Sequence, residues 1–260
     1  MKNSHFHIFT FSKLIAFIML LILVSCRKNT TQEIAIGNNG IEDRSDNKQW
    51  YYEFYLDGIP VSSIAIDTTI DQWILYKAIP TTDTNVITVQ VRKYSTRAKY
   101  ELYGDTIGLN IRSQLAISDR LKFVADSAGL SNTITDEANI PKWYSDYCNT
   151  LINGFTGGAI NDRFIGTEVR KDNSELKDCS SWGGLLLFPG AFATYPVMPP
   201  GWNDQISGVN NRDIVGSFRM FRHRFFWKNM GAVQGFGNIT VRLCGTTADR
   251  QTSSAIRFGF

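Results

Sequence analysis

Apolar and polar positions divide the chain into four stretches of different texture. An unbroken apolar run, Leu14–Val24 (LIAFIMLLILV), follows a start with two lysines, Lys2 and Lys13, and no acidic residue. Residues 27–48 are polar, with isolated apolar positions around Gly-Asn-Asn-Gly. From Trp50 the pattern alternates: Tyr52, Phe54 and Leu56 against Tyr51, Glu53 and Tyr55, then Asp57-Gly58 as a turn. Val61–Ile66 and Trp73–Ile79 are further apolar runs, Ile87, Val89 and Val91 alternate with Thr88, Gln90 and Arg92, and Thr96–Tyr103 reads as one more strand. Period-two alternation of β-branched and aromatic residues predicts an antiparallel sheet of about five strands.

Helical spacing follows. Ser118 is placed to cap a helix with Ile117, Leu121 and Val124 on one face and Gly129 as its stop. A second helix, from Asp136 or Pro141 to Ile152, carries Trp143/Tyr144, Tyr147/Cys148 and Leu151/Ile152 every four residues and ends at Asn153-Gly154. Beyond Gly154 short apolar runs alternate with glycines, which predicts a compact β-domain over 155–260.

The first apolar run is too short to span a membrane. Eleven residues at about 1.5 Å each do not cross roughly 30 Å of hydrocarbon. A charged start, a short apolar core and a small residue at its end describe a signal peptide over 1–25. Leu23-Val24-Ser25-Cys26 resembles the bacterial lipobox. That resemblance implies a diacylglycerol thioether on Cys26, further acylation (palmitate), cleavage before Cys26, and residues 26–48 as a lipidated tether of roughly 25 Å. Arg27 stands where an aspartate is associated with inner-membrane retention, so the resemblance points to the outer membrane.

Composition narrows the function. The formal charge of +3 falls to +1 once Lys2 and Lys13 leave with the leader, so bulk charge argues for no nucleic-acid partner. Aromatic residues at 13% and hydrophobic residues at 43% suffice for real cores. Besides Cys26 there are Cys148, Cys179 and Cys244. Export permits a disulfide, and Cys179–Cys244 is the preferred pair because both flank the proposed C-terminal domain; three buried thiols are the alternative.

Gly201-Trp202-Asn203-Asp204-Gln205-Ile206-Ser207-Gly208-Val209 resembles the βγ-crystallin Greek-key signature, shared by a microbial metalloprotease-inhibitor family. Gly208 departs from the expected serine. The resemblance implies a Greek-key β-sandwich and a calcium site: side-chain oxygens from Asp204 and Ser207, a carbonyl from Gln205, and Asn203 shaping the turn. A second key echoes it at Gly235–Thr240, where Asn238 matches Asp204 and Thr240 matches Ser207. Phe221 and Phe226 match the family's aromatic corner, with Lys228 in place of its glycine; Leu187, Phe192 and Thr194 hold that spacing in the first key.

Catalytic signatures are sparse. His223 is the one histidine after the leader, which rules out a His-x-x-x-His zinc site. No Gly-x-Ser-x-Gly elbow, phosphate-binding loop or dinucleotide fingerprint occurs. Arg219, Arg222, His223, Arg224 and Lys228 interleave with Phe218, Phe221, Phe225, Phe226 and Trp227, which reads as a basic solvent face over core aromatics and, as a ligand surface, suits a single-stranded nucleic acid or an anionic glycan, the former disfavoured by export.

The sequence is therefore read as an α+β lipoprotein. An N-terminal antiparallel sheet with two helices (49–154) precedes a βγ-crystallin-like Greek-key β-sandwich (155–260). Its function is non-catalytic, calcium-stabilised binding of a protein or glycan at the cell envelope. Two rivals stand beside it: a metalloprotease inhibitor using Gly190–Pro200 as its rigid loop, and a hydrolase with a dispersed carboxylate pair.

Overall fold

A computed structural model describes residues 31–34, 41–43, 48–67, 69–83, 85–156, 166–173, 181–188, 192–211, 216–235, 239–244, 246 and 248–259. The leader, Cys26, most of the tether, Cys179 and Asn238 lie outside these residues.

Strand β1 (Thr31–Ile34) pairs with β5 (Ile64–Asp67) in a small separate sheet. The main sheet contains β2 (Ile41–Asp43), β3 (Lys48–Leu56), β4 (Ile59–Val61), β6 (Ile74–Pro80) and β7 (Val86–Lys93). Strand β3 buries Trp50, Tyr52 and Phe54 and turns Tyr51 and Glu53 outward, as its alternation requires. It folds back into β4 through Asp57 (φ 51°) and Gly58 (φ 88°), the left-handed pair of a two-residue type I′ hairpin. In β6, Ile74, Leu75, Tyr76 and Ala78 are all fully buried, so that strand is covered on both faces.

Two expectations change here. The sheet is mixed: β6 pairs antiparallel with β7, but β3 pairs parallel with β7. Alternation reports which side chains share a face, and is silent on strand direction. Thr96–Tyr103 is not a strand but the start of helix α1 (Arg97–Thr106), capped by the Thr96 hydroxyl, which accepts from the Lys99 N–H at 3.3 Å. Tyr100 and Gly104, four apart, form its buried face. A Cβ at Gly104 would meet Ile111 side-chain atoms at 2.5–2.6 Å, so glycine is what allows this close approach.

Helix α2 (Ile111–Ser127) is longer than its pattern predicts, and Ser118 lies inside it, donating to the Gln114 carbonyl at 2.8 Å. Gly129 (φ 69°) follows its end, as expected. Then come α3 (Leu130–Thr133), a 3-10 turn at Glu137–Asn139, and α4 (Lys142–Thr156), which buries Tyr144, Cys148 and Ile152 at every fourth position. The described residues thus hold four helices where two were predicted.

The remaining strands are β8 (Thr167–Asp172), β9 (Trp182–Phe188), β10 (Phe192–Tyr195), β11 (Ile206–Asn211), β12 (Ser217–His223), β13 (Trp227–Gln234), β14 (Val241–Arg242) and β15 (Ser254–Phe258). They occupy two sheets in the spatial orders β9-β8-β11-β14 and β10-β15-β12-β13, and all these neighbours are antiparallel. In chain order they form two sets of four. The third strand of each set, β10 or β14, crosses into the sheet of the other set.

The predicted domain boundary near residue 154 is not a break in the sheet. Strand β13 pairs in parallel with β6, so the second sheet continues through the N-terminal strands to nine in all. Residues 32–260 form one compact unit. The α+β class holds, but the N-terminal strands extend the C-terminal sheet instead of closing a core of their own.

Three layers result. Between the sheets, Val169, Ile206, Val209 and Val241 meet Phe218, Met220 and Val233, together with Trp50, Tyr52 and Phe54 of β3. On the other face of the large sheet, α2 and α4 pack Leu121, Ala125, Tyr144 and Cys148 against Phe221, Phe225, Ile256 and Phe258. Helix α1 and the start of α2 cover Leu75 and Ala232. Arg219, Arg242 and Arg257 are fully buried among these layers. Arg219 is therefore no part of a solvent face: it bonds Asn229 Oδ1 (3.2 Å) and Gln114 Oε1 (3.3 Å), with the Tyr100 ring 5.5 Å away.

Candidate binding cleft

The predicted signature at Asn203–Gly208 forms the turn that enters β11, and a second turn, Asp249–Ser254, enters β15 in the same way. Their backbones bond reciprocally. The Asp204 N–H donates to the Thr252 carbonyl (2.9 Å) and the Arg250 N–H to the Ile206 carbonyl (3.0 Å). The Leu243 N–H donates to the Ser207 carbonyl (2.8 Å), and the Met198 N–H to that of Ser253 (3.1 Å). The turns thus align Asp204 with Arg250, Ile206 with Thr252 and Ser207 with Ser253. Both leading residues are left-handed, Asp204 at φ 54° and Arg250 at φ 50°. Asn-Asp-Gln-Ile-Ser-Gly is therefore matched by Asp-Arg-Gln-Thr-Ser-Ser at 249–254.

Of the echo expected at Gly235–Thr240, residues 236–238 lie outside the described residues, and Thr240, whose carbonyl accepts from Trp50 Nε1 (3.3 Å), precedes β14. Phe221 and Phe226, expected as the family's aromatic corner, set their rings edge to face at 5.4 Å. Lys228, in place of the family's glycine, is left-handed at φ 61°. The first-key match at Leu187, Phe192 and Thr194 fails, because those residues fall in β9 and β10, which lie in different sheets. Gly208 departs from serine for a local reason: a Cβ there would meet the Trp182 ring at 2.7 Å.

Above the first turn opens a cleft of about 720 Å³. Asn203, Asp204 and Ser253 line one side, and His223, Arg224 and Trp227 come from the β12–β13 hairpin. Asp126, Ser131 and Asn132 complete it from the end of α2 and from α3. Both carboxylates are engaged within the protein. Asp204 accepts from Ser253 Oγ (2.8 Å) and Asn203 Nδ2 (2.9 Å); Asp126 Oδ1 accepts from Trp227 Nε1 (2.6 Å) and Ser131 Oγ (3.1 Å). The Lys122 ammonium sits 3.4 Å from the Trp227 ring centroid. Burial, then the cations Arg222 and Lys228, hold the His223 imidazole below its ordinary value, opposed by Asp204.

The hairpin presenting these groups is under backbone strain. Phe225 (φ 55°), Phe226 (φ 66°) and Lys228 (φ 61°) are all left-handed, a costly state for bulky side chains. Their surroundings impose it. Phe225 is fully buried edge to face with Tyr144 (5.6 Å), and its N–H donates to the Pro196 carbonyl (2.6 Å). The Phe226 N–H donates to Ser254 Oγ (3.0 Å), which donates to the His223 carbonyl (2.7 Å). Strain held in place beside a cleft is a mark of functional sites.

A calcium shell needs six to eight oxygens, and of the expected set Asp204, Gln205, Ser207, Asn238 and Thr240, Asn238 lies outside the described residues. The Asp204 carboxylate is engaged on both oxygens, and Ser207 is fully buried in β11. The paired turn brings a guanidinium instead: Arg250 Nη2 lies 2.6 Å from Asp172 Oδ2, whose side chain is fully buried. Gln205 is exposed beside Asp204. Among the described residues no group of three or more His, Cys, Asp or Glu is placed to hold a metal ion.

Other candidates sort clearly. Of the inhibitor loop expected at Gly190–Pro200, Phe192–Tyr195 form β10 and pair with β15, and Pro196, Val197 and Met198 are buried. Cys148 is a buried free thiol that burial pushes up to about 12, too high for a nucleophile. Cys244 is disulfide-bonded, and its partner, like Cys179, lies outside the described residues. Sequence reasoning missed Asp126, Asn132 and Ser253 and assigned Arg224 and Trp227 to solvent and core. The one available signal was Asp249–Ser254, masked by the arginine at its second position. No protein-family model, curated protein or solved structure matches the chain.

Proposed function

We propose that this chain is a lipid-anchored binding protein of the bacterial cell envelope, with a βγ-crystallin-like double Greek key carrying a non-catalytic ligand cleft. The strand order supports the family reading: two consecutive sets of four strands exchange their third strands, and matching turns lead into the fourth strand of each. The observation that carries the binding reading is the cleft on one of those turns, lined by a rigid, strained hairpin and closed by no described segment of the chain. The anchor rests on Leu23-Val24-Ser25-Cys26, and the outer membrane on Arg27; within the segment expected as tether, Thr31–Ile34 and Ile41–Asp43 are strands.

The anchor is tested by metabolic labelling with tritiated palmitate in a bacterial host. The native chain takes up label and fractionates with outer membranes. Cys26→Ser takes up none and is recovered uncleaved or soluble. Equal labelling of both would reject the anchor.

A further inference from the structure

We infer that the cleft binds an anionic sugar, a saccharide bearing a carboxylate or phosphate, with Arg224 as the partner of its charge. The inference rests on the reading of the cleft as a ligand site. It follows from which polar groups of the lining are already engaged and which are not. Both carboxylates hold internal donors. The Arg224 guanidinium makes no hydrogen bond or ion pair among the described residues, and its Nε is buried. The side chain is half-buried and its charge is uncommitted among the described residues, and an anion with paired oxygens meets it.

The electrostatic setting agrees. Arg222 and Lys228 lie close enough to His223 to hold its proton affinity down, and Lys122 lies over Trp227. Within the lining, Arg224 is the guanidinium, and the carboxylates of Asp126 and Asp204 are held by Trp227, Ser131, Ser253 and Asn203.

The other lining groups point to a polyhydroxylated ligand. Asn203 lines the cleft with an amide whose Oδ1 has no donor among the described residues. Asn132 and Ser131 add amide and hydroxyl groups, and the Trp227 ring, fixed at its edge by Asp126, offers apolar surface to a sugar ring. Arg224 sits beside Phe225 and Phe226, whose left-handed backbones are locked by buried rings, so its position is set before a ligand arrives.

The test uses full-chain protein in detergent and calorimetric titration with three probes: a galacturonate trimer, glucosamine 6-phosphate, and a neutral galactose trimer. At least one anionic probe binds about tenfold or more tighter than the neutral trimer, and Arg224→Gln removes that margin while the unfolding midpoint stays unchanged. Which anionic probe binds separates carboxylate from phosphate. Equal binding of neutral and anionic probes, or a margin that survives Arg224→Gln, overturns the inference and leaves the cleft as a ligand site. Binding of no probe overturns both.

Discussion

The turns that enter β11 and β15 follow one backbone path and do different work. Each starts with a left-handed residue, and each gives its N–H to the other's carbonyl, Asp204 to Thr252 and Arg250 to Ile206. The Asp204 turn faces an open cleft. The Arg250 turn is closed by its own cation, since the guanidinium reaches the buried Asp172 carboxylate at 2.6 Å. One backbone device can thus hold a ligand site at one copy and an internal ion pair at the other. The two turns differ at four of six positions, and the side chain that closes the second is Arg250, where the first has Asp204.

The largest effect is expected at the closed turn. Arg250→Ala removes the guanidinium bonded to a buried carboxylate and should cost about 3 kcal/mol in urea unfolding. At the open turn, Asp204→Ala loses the bonds from Ser253 and Asn203 and leaves alanine left-handed, for about 1–2 kcal/mol. Equal losses at the two turns would break the comparison. Lys228→Gly relieves left-handed strain in the hairpin above the cleft and should stabilise by about 0.5 kcal/mol. A loss there would mean that the lysine is held by more than the hairpin requires.

The smallest effect concerns an exposed counterpart of the Arg250 pair. Asp57, left-handed in its own hairpin, accepts from Lys99 Nζ at 2.7 Å and from Ser95 N–H and Oγ. The Lys99 contact first, then Ser95, holds its carboxyl down at about 2 instead of 3.8. A depressed carboxylate stabilises the fold above its free value and loses that contribution as pH falls through the folded one. Native and Asp57→Asn proteins should therefore differ slightly above pH 4 and converge toward pH 2 in acid unfolding. A gap that persists below pH 2 would assign the effect to packing.

Some of this was legible in the residues. Alternation placed β3 and β7, Asp57-Gly58 announced a type I′ hairpin, and the four-residue stripe of Tyr144, Cys148 and Ile152 marked α4. The turn before β11 was visible because Asn203-Asp204 and Ser207 stand at the signature spacing. Its partner was not, because Arg250 adopts the left-handed state by tertiary constraint, and propensity would not choose arginine there. Helix α1 was hidden because Ala98, Tyr100 and Leu102 also alternate, and a short run cannot separate the two periods. The β6–β13 pairing and the cleft itself join residues far apart in the chain, such as Asp126 and Trp227, which no local pattern relates.

Thermal unfolding of the full chain, alone, with millimolar calcium and with a saturating anionic sugar probe, tests the division between the turns most directly. A species that binds the native state and not the unfolded chain raises the midpoint, with the logarithm of its free concentration over Kd once it is in excess. The account predicts a midpoint raised by the anionic sugar and unmoved by calcium. A rise with calcium, abolished in Asp204→Ala and absent with the sugar, would contradict it.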